Sequence, residues 1–208
     1  ALPISRIMTR LSVNINKIAT LRNARGEDYP NLLKTAQDII SFGAQGITIH
    51  PRPDQRHIRY SDALELKGKI NTELNIEGNP SKKFINLVNE IKPEQVTLVP
   101  DSEDAITSSA GWDTINNFSF LSDIVEEFHS NSIRVSIFID PDITMLEGAK
   151  KIKADRVELF TGPYAKEYNI DKLKAIEKYI QCSEVADEIN LDLNAGHDLN
   201  QDNLTFFY

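Results

Sequence analysis

Two histidines and two glutamates are the side chains of this sequence whose types and positions best suit acid–base chemistry. His50 ends a β-rich run and His197 follows another, while Glu77 ends a third run and Glu158 lies within a fourth. A carboxylate facing a protein interior is costly to bury unless it is paired or titrates usefully. An interior ion pair is therefore the alternative for each glutamate taken alone. If the four groups share one site, they predict general acid–base catalysis.

The segment that contains the first β-rich run, VNINKIATLRNARG (13–26), is a candidate anion-binding site. It places two amides at a strand end and three cations in the loop expected to follow: Asn14, Asn16, Lys17, Arg22 and Arg25. The planar guanidinium group of arginine matches the oxygens of a phosphate, and Gly26 permits a tight turn. A solvated surface loop with three cations is the alternative.

The segment that follows the second run, HPRPDQRHI (50–58), contains two of the four histidines of the chain. His50 lies at the strand end, and Arg52, Arg56 and His57 lie on the expected loop. Guanidinium groups beside an imidazole should lower its pKa and favour the neutral form, which can act as a base. The alternative is a solvated loop with structural histidines.

Hydroxyl groups follow the fourth β-rich run, and His197 follows the seventh. Thr107, with Ser108 and Ser109, comes after the fourth run and could donate hydrogen bonds to a phosphate, and the small-residue turn NAGH (194–197) presents His197. Acid–base groups beside cations, without metal-ligand spacing, predict chemistry on phosphorylated carbonyl compounds. Aldolases, isomerases and condensing enzymes all remain open, although no strand contains a lysine suited to a Schiff-base aldolase.

Seven short β-rich runs alternate with helical patterns. The runs are 11–16, 46–50, 73–77, 95–100, 134–140, 156–160 and 189–194. Each spacer has apolar residues at helical intervals. Such alternation without hairpin turns predicts parallel strands joined by right-handed crossovers, as in a (β/α)8 barrel or a doubly wound sheet.

The alternation of side chains within the runs favours the barrel. Ile47 and Ile49 are typical of an apolar set of positions, and Thr48 and His50 of an opposite polar set. A doubly wound sheet has helices on both faces and should be apolar on both sets, whereas a barrel enzyme keeps polar groups inside, toward the strand C-termini. We predict an α/β fold, a (β/α)8 TIM barrel. The alternative is an α/β layer with one solvated sheet face.

The domain organisation expected is one barrel domain over 1–208, with 1–10 as an N-terminal extension and lead-in. After the seventh run, NAGHDLNQDNLTFFY offers at most the start of a helix. The eighth βα unit is thus absent from the chain, and we expect it in a C-terminal tail, because an unclosed barrel leaves exposed strand edges.

Composition excludes several classes of partner. The net charge of −8 argues against nucleic acid, which needs a basic surface. Cys182 is the single cysteine, so no intramolecular disulfide or Cys-based zinc cluster can form, which fits a reducing cytoplasm. No apolar run approaches the ~20 residues of a membrane span. We expect small phosphorylated substrates as the partners, and no membrane.

Seven motifs lie in colinear order from residue 11 to about 200: VNINKIATLRNARG, GITIHPRPDQRHI, LNIEG, the VP that ends the fourth run, VSIFID, VELFTGPYA and LNAGH. They resemble those of the pyridoxine 5′-phosphate synthase family, which makes vitamin B6. The resemblance implies condensation of 1-deoxy-D-xylulose 5-phosphate with 3-amino-2-oxopropyl phosphate, giving pyridoxine 5′-phosphate, phosphate and water. It implies a TIM barrel, no cofactor and a homo-octamer.

The resemblance also implies roles for single residues. His50 and Glu77 would accept protons, His197 would donate one, and Glu158 would stabilise a cationic transition state. The implied ligands of the aminoketone phosphate are Asn14 and Arg25, and those of the deoxyxylulose phosphate are Arg52, His57 and Thr107.

The sequence departs from the family pattern at three places. Asn16 and Lys17 stand where many members have Asp-His, and Lys17 can substitute there as a point charge. Asp198 stands where a glycine that binds substrate through its backbone is usual. The Gly-His phosphate contact after the eighth strand lies beyond Tyr208. A non-catalytic barrel remnant, serving as a binding or oligomer subunit, is the alternative function.

Overall fold

Parallel strands alternate with helices throughout the computed structural model, which describes residues 9–101 and 109–208. The strands in these residues are β1 (Ser12–Asn14), β2 (Gly46–Ile49), β3 (Glu73–Gly78), β4 (Gln95–Leu98), β5 (Arg134–Ile139), β6 (Arg156–Phe160) and β7 (Asp192–Gly196). The helices are α1 (Asn16–Arg25), α2 (Leu32–Ser41), α3 (Tyr60–Lys69), α4 (Lys82–Ile91), α5 (Phe118–Ser130), α6 (Ile143–Lys151), α7 (Gly162–Glu167), α8 (Lys172–Ile189) and α9 (Leu204–Phe207). No helix among the described residues is long and apolar enough to cross a membrane.

The chain divides into two compact units, one up to Ile76 and one from Glu77 onward. In the first unit β2 pairs in parallel with both β1 and β3, and the register aligns Asn14, Thr48 and Asn75. Ile47 and Ile49 on the opposite set are fully buried. Hydrogen bonds link part of this polar face: the Thr48 hydroxyl lies 2.7 Å from that of Ser12, and it accepts a hydrogen bond of 3.4 Å from the Asn75 amide.

In the second unit β4, β5, β6 and β7 pair in parallel in that order. The apolar row across this sheet is Leu98, Ile137, Val157 and Leu193, and the first three of these are buried. Three helices of this unit begin at a capping side chain that accepts a backbone N–H: Ser81 for α4, Asp142 for α6 and Asp171 for α8.

The structure corrects two details of the predicted strands. The seventh strand begins at Asp192 instead of residue 189, because Ile189 ends α8 and Asn190 caps that helix in a left-handed conformation with φ 54°. The face predicted to be polar is also partly apolar: Val99, Phe138 and Phe160 form a buried cluster on it. The helix start predicted near the end of the sequence is confirmed by α9.

An aromatic cluster fixes the segment that follows β7. Phe207 packs edge-to-face on Tyr164 and Tyr179, with ring centroids 4.9 and 5.3 Å apart. The hydroxyl of Tyr164 donates to the backbone oxygen of Asn203 at 2.7 Å, and that of Tyr168 donates to the oxygen of Asp202 at 3.0 Å. These contacts attach 202–207 to α7, α8 and Tyr168. The residues between β7 and this segment are therefore held by the strand at one end and by the aromatic cluster at the other.

Candidate active site

His50 lies directly after β2 and is 7% exposed. Its backbone N–H donates to Oδ1 of Asn16 at 2.9 Å, which ties the end of β2 to the start of α1. Burial lowers the pKa of the imidazole to about 3, with further contributions from Arg52, His57 and Arg56. The direction agrees with the sequence prediction, although burial, and not the arginines, is the largest cause. The residue is a neutral imidazole near pH 7.

His57 is a half-buried neighbour of His50, with ring centroids 6.4 Å apart in an edge-to-face arrangement. Its Nδ1 accepts the backbone N–H of Ile58 at 2.9 Å, so the proton of the neutral ring is on Nε2. Burial lowers the pKa of His57 to about 4, as do Arg52 and Arg56. The side chain therefore offers an uncharged Nε2–H donor.

Asn14 ends β1, as the sequence predicts, but the cations expected in the following loop lie in a helix instead. Lys17 and Arg25 belong to helix α1 instead of a loop, and both are exposed. Gly26, with φ 74°, ends this helix in the left-handed conformation. Asn14 is exposed, and its Oδ1 accepts the backbone N–H of Asn16 at 2.9 Å, which bends the chain from strand into helix.

Arg22, predicted as an anion ligand, has a structural role. It is 3% exposed, and its two terminal nitrogens donate to the two carboxylate oxygens of Asp62, each at 2.8 Å. The hydrogen bond to Asp62 raises the pKa of Arg22 against the opposing effect of burial. The prediction for Arg22 was wrong because its partner lies forty positions away in the sequence.

Glu158, a candidate catalytic carboxylate, belongs to the second unit. It lies on β6 in register with Phe138 on one side and Asn194 on the other. Burial raises the pKa of its carboxyl to about 7, so protonated and ionised forms coexist near neutral pH. A Cβ atom at Gly196 would lie 2.5 Å from Oε1 of Glu158, so a larger residue there would require this carboxyl to move.

His197 follows β7 with φ 96°, a conformation unusual for a residue other than glycine. Its ring stands edge-to-face on Phe160, with centroids 4.9 Å apart, and its Nδ1 lies 3.1 Å from Oδ2 of Asp198. The buried hydroxyl of Thr161 lies 2.7 Å from the backbone oxygen of Gly196 and also contacts that of His197. Both the ring and the backbone of His197 are therefore held by neighbouring residues.

Glu77 is half-buried near the C-terminal end of β3. The next residue, Gly78, accepts the N–H of Val99 at 3.0 Å, and a Cβ atom there would strike the ring of Phe84 at 2.2 Å. Close packing thus fixes the backbone just after Glu77. Thr107 and the predicted N-terminal extension up to residue 8 lie outside the described residues.

Comparison with known proteins identifies the family of this chain. The family model described as Pyridoxal phosphate biosynthesis protein PdxJ matches residues 11–208. The chain belongs to this family. A pyridoxine 5′-phosphate synthase of Flavobacterium johnsoniae is 60% identical over 200 residues, covering 96% of this chain and 84% of that protein. The synthase of Porphyromonas gingivalis is 56% identical, with the same coverage of both chains.

Solved structures of low sequence identity share the fold. A structure described as native KDPGal covers 96% of this chain and 77% of its own, with a TM-score of 0.61 at 9% identity. An enolase-superfamily member from Listeria innocua covers 94% of this chain and 44% of its own, with a TM-score of 0.54 at 10% identity. The TIM-barrel class of the PdxJ-family chain is confirmed.

The structure shows the surroundings of two departures from the usual PdxJ-family pattern, at Asp198 and at Asn16-Lys17. Asp198 adopts φ 57°, a left-handed conformation that glycine adopts without strain and aspartate tolerates. Its backbone oxygen accepts a hydrogen bond of 3.1 Å from Asn203. The amide oxygen of Asn16 supports His50, and Lys17 projects from an exposed position of α1.

Sequence reasoning missed several residues that support the site. Thr161 and Phe160 hold the turn of His197, and Asp62 and Asn23 hold the loop of His57. Asp62 accepts the backbone N–H of the N-cap residue Arg59, as the acidic residue of a capping box does, but arginine is not an N-cap type that the sequence rules would recognise. Within 9–101 and 109–208 no group of His, Cys, Asp or Glu is arranged to hold a metal ion.

Proposed function

We propose that this protein is a pyridoxine 5′-phosphate synthase, a transferase that condenses 1-deoxy-D-xylulose 5-phosphate with 3-amino-2-oxopropyl phosphate. The products are pyridoxine 5′-phosphate, inorganic phosphate and water. Synthase relatives at 60% identity over 96% of the chain carry the proposal. The lowered pKa of His50 and the raised pKa of Glu158 each support it, because strongly displaced pKa values are common at catalytic sites.

Amine attack on the ketone, dehydration, loss of phosphate and ring closure each move protons between oxygen, nitrogen and carbon. His50 and Glu77 are proposed as the proton acceptors. An imidazole with a pKa of about 3 is a weak base, but a dianionic phosphate held by Arg52 and His57 would offset the cations that lower this pKa. Substrate binding would thereby turn His50 into a better base.

Glu158 is proposed to stabilise cationic intermediates. With a pKa of about 7 its carboxyl retains a proton in much of the empty enzyme. A positively charged imine or amine formed beside it would favour loss of that proton, and the resulting carboxylate would pair with the cation. Burial makes this pairing stronger than it would be in water.

His197 is proposed as the proton donor. Its Nδ1 must carry a proton to bond the carboxylate of Asp198, which assigns proton transfer to Nε2. The ring contact with Phe160 restricts rotation of the imidazole. Both contacts favour one orientation of the donor, and a fixed orientation is what general acid catalysis requires.

Phosphate binding is assigned from the family resemblance, supported by the charges of the first unit. Asn14 and Arg25 are proposed to hold the aminoketone phosphate, whereas Asn16 and Lys17 are proposed to contact the sugar phosphate. The proposed ligands of the deoxyxylulose phosphate are Arg52, His57 and Thr107, and Asp198 is proposed to contact substrate through its backbone. The exposed Lys17 and Arg25 and the uncharged Nε2–H of His57 suit such contacts.

The resemblance further supports a homo-octamer of single barrel domains that works in the cytoplasm without a cofactor. A non-catalytic remnant is not favoured, because the similar relatives carry the synthase name.

Replacement of Glu77 by glutamine tests the assignment. We expect turnover to fall by roughly 10²–10⁴-fold with the KM values little changed, because glutamine keeps the shape of the side chain and cannot accept a proton. The measurement is pyridoxine 5′-phosphate formation from the two purified substrates. Glu73→Gln, at the other end of β3, is the matched control.

Two results would contradict the proposal. Turnover of Glu77→Gln within a few-fold of wild type would remove Glu77 from the mechanism. Absence of product with the wild-type protein would reject the synthase function itself.

A further inference from the structure

A buried network joins helix α1 to the loop 50–59. Its core is the ion pair of Arg22 and Asp62, which are only 3% and 8% exposed. A buried ion pair is seldom more stabilising than well-packed apolar side chains, so it is weak evidence for a stabilising role. The ion pair is instead connected to the loop, because Oδ2 of Asp62 also accepts the backbone N–H of Arg59 at 2.7 Å.

Asn23 extends this network to the backbone of the loop. Its amide nitrogen donates to the carbonyl oxygens of His57 at 2.8 Å and Arg56 at 3.1 Å. Its amide oxygen accepts from Nε of Arg22 at 3.2 Å and from Arg59 at 2.9 Å. Arg22 adds a contact of its own to the carbonyl oxygen of His57, at 3.3 Å. The Asn23 side chain thus hydrogen-bonds both to two carbonyl oxygens of the loop and to two guanidinium groups.

The same peptide unit carries the His57 ring contact. The N–H of Ile58 belongs to the peptide whose carbonyl oxygen is held by Asn23, and this N–H donates to Nδ1 of His57 at 2.9 Å. Fixing the carbonyl therefore fixes the direction of the N–H, and the N–H fixes the tautomer of the imidazole.

We infer that Asn23 is a positioning residue for substrate phosphate, acting through the His57–Ile58 peptide to present Nε2–H of His57 beside Arg52. The inference rests on the proposed function, in which His57 and Arg52 bind the deoxyxylulose phosphate. Arg22 and Asp62 in turn position Asn23. No direct contact of Asn23 with substrate is required.

Asn23→Ala removes the contacts with the loop while the Arg22–Asp62 pair stays intact. We expect the KM for 1-deoxy-D-xylulose 5-phosphate to rise about tenfold, which is about 1.4 kcal/mol, with kcat changed less than the KM. The KM for 3-amino-2-oxopropyl phosphate should not change. The matched control is Thr20→Ala, which removes an exposed hydroxyl bonded only within α1.

Nitrogen-15 NMR of the histidine rings supplies a readout that needs no activity. In the wild-type protein His57 should show the signals of a single Nε2–H tautomer, and in Asn23→Ala the signals should move toward a mixture of both tautomers. Failure of the synthase assay with wild type would reject the proposed function while the NMR comparison still tests the positioning of His57.

Asn23→Asp separates the two halves of the side chain if the alanine variant folds poorly. The carboxylate keeps an acceptor for Arg22 and Arg59 and loses the donor for the loop carbonyls. We expect this variant to lose the single tautomer as well. An unchanged tautomer of His57 in a folded variant, or a loss of stability with both KM values unchanged, would overturn the inference.

Discussion

Replacing Glu158 with glutamine should abolish a large pH dependence of stability. The folded protein holds the pKa of this carboxyl at about 7, against an ordinary value of 4.5, because burial disfavours the ionised form. Between these two values the folded state binds more protons than the unfolded state. The free energy of unfolding must therefore fall as the pH rises through this window.

The magnitude follows from the distance between the two pKa values. Each pKa unit corresponds to 1.36 kcal/mol, so the penalty for ionising Glu158 in the folded state approaches roughly 3 kcal/mol above pH 7. That is a substantial part of the ~5–15 kcal/mol by which most domains are stable. Glutamine resembles the protonated carboxyl and never ionises, so Glu158→Gln should match wild type in acid and exceed it above neutral pH.

Urea unfolding at several pH values between about 5 and 8 measures this difference. Other titrating groups contribute equally to both proteins and cancel in the comparison. Glu147→Gln, which changes an exposed glutamate on α6, is the control and should follow wild type at every pH. Parallel stability curves for wild type and Glu158→Gln would refute the raised pKa and, with it, the argument that this residue exchanges protons near neutral pH.

Two further predictions concern the turn after β7 and the segment that follows it. Asp198→Gly suits the φ of 57° but removes the carboxylate beside His197, so we expect a loss of about tenfold in kcat, whereas Asp198→Asn keeps an acceptor and most of the rate. Equal product-formation rates for both variants would contradict this role. Phe207→Ala removes ring contacts with Tyr164 and Tyr179 and should cost about 1–3 kcal/mol, measured by thermal unfolding. An unchanged Tm would show that the aromatic cluster does not stabilise the protein.

The strand-end groups could be predicted from the sequence because strand periodicity is local. Alternation of side chains placed His50 and Glu158 on the polar set without any knowledge of tertiary structure. The same reasoning failed at two residues. Phe138 alternates with polar residues but is buried in an apolar cluster, and Ile189 was assigned to a strand but ends a helix. Periodicity gives the face of a residue, but it does not tell what packs against that face.

The wrong prediction for Arg22 arose because its hydrogen-bond partner is distant in the sequence. Arg22 has the residue type and the local setting of a phosphate ligand, and only the fold brings Asp62 within 2.8 Å of it. The low pKa of His50 was likewise predicted from its neighbouring arginines, while its main cause is burial, which local sequence does not encode.

Burial is the largest cause of both displaced pKa values, but the charges around the two groups differ in a way that suits the proposed reaction. His50 also lies among cations that a phosphate can neutralise, so in the proposed reaction its basicity would increase when substrate binds. The pKa of Glu158 is raised by burial, which an anion does not relieve, and in the proposed reaction this carboxyl would respond instead to positive charge formed on the substrate. One group would thus be activated by binding and the other by chemistry. Such an order would limit proton transfer in the empty enzyme, where His50 is too weak a base and Glu158 has no cation to stabilise.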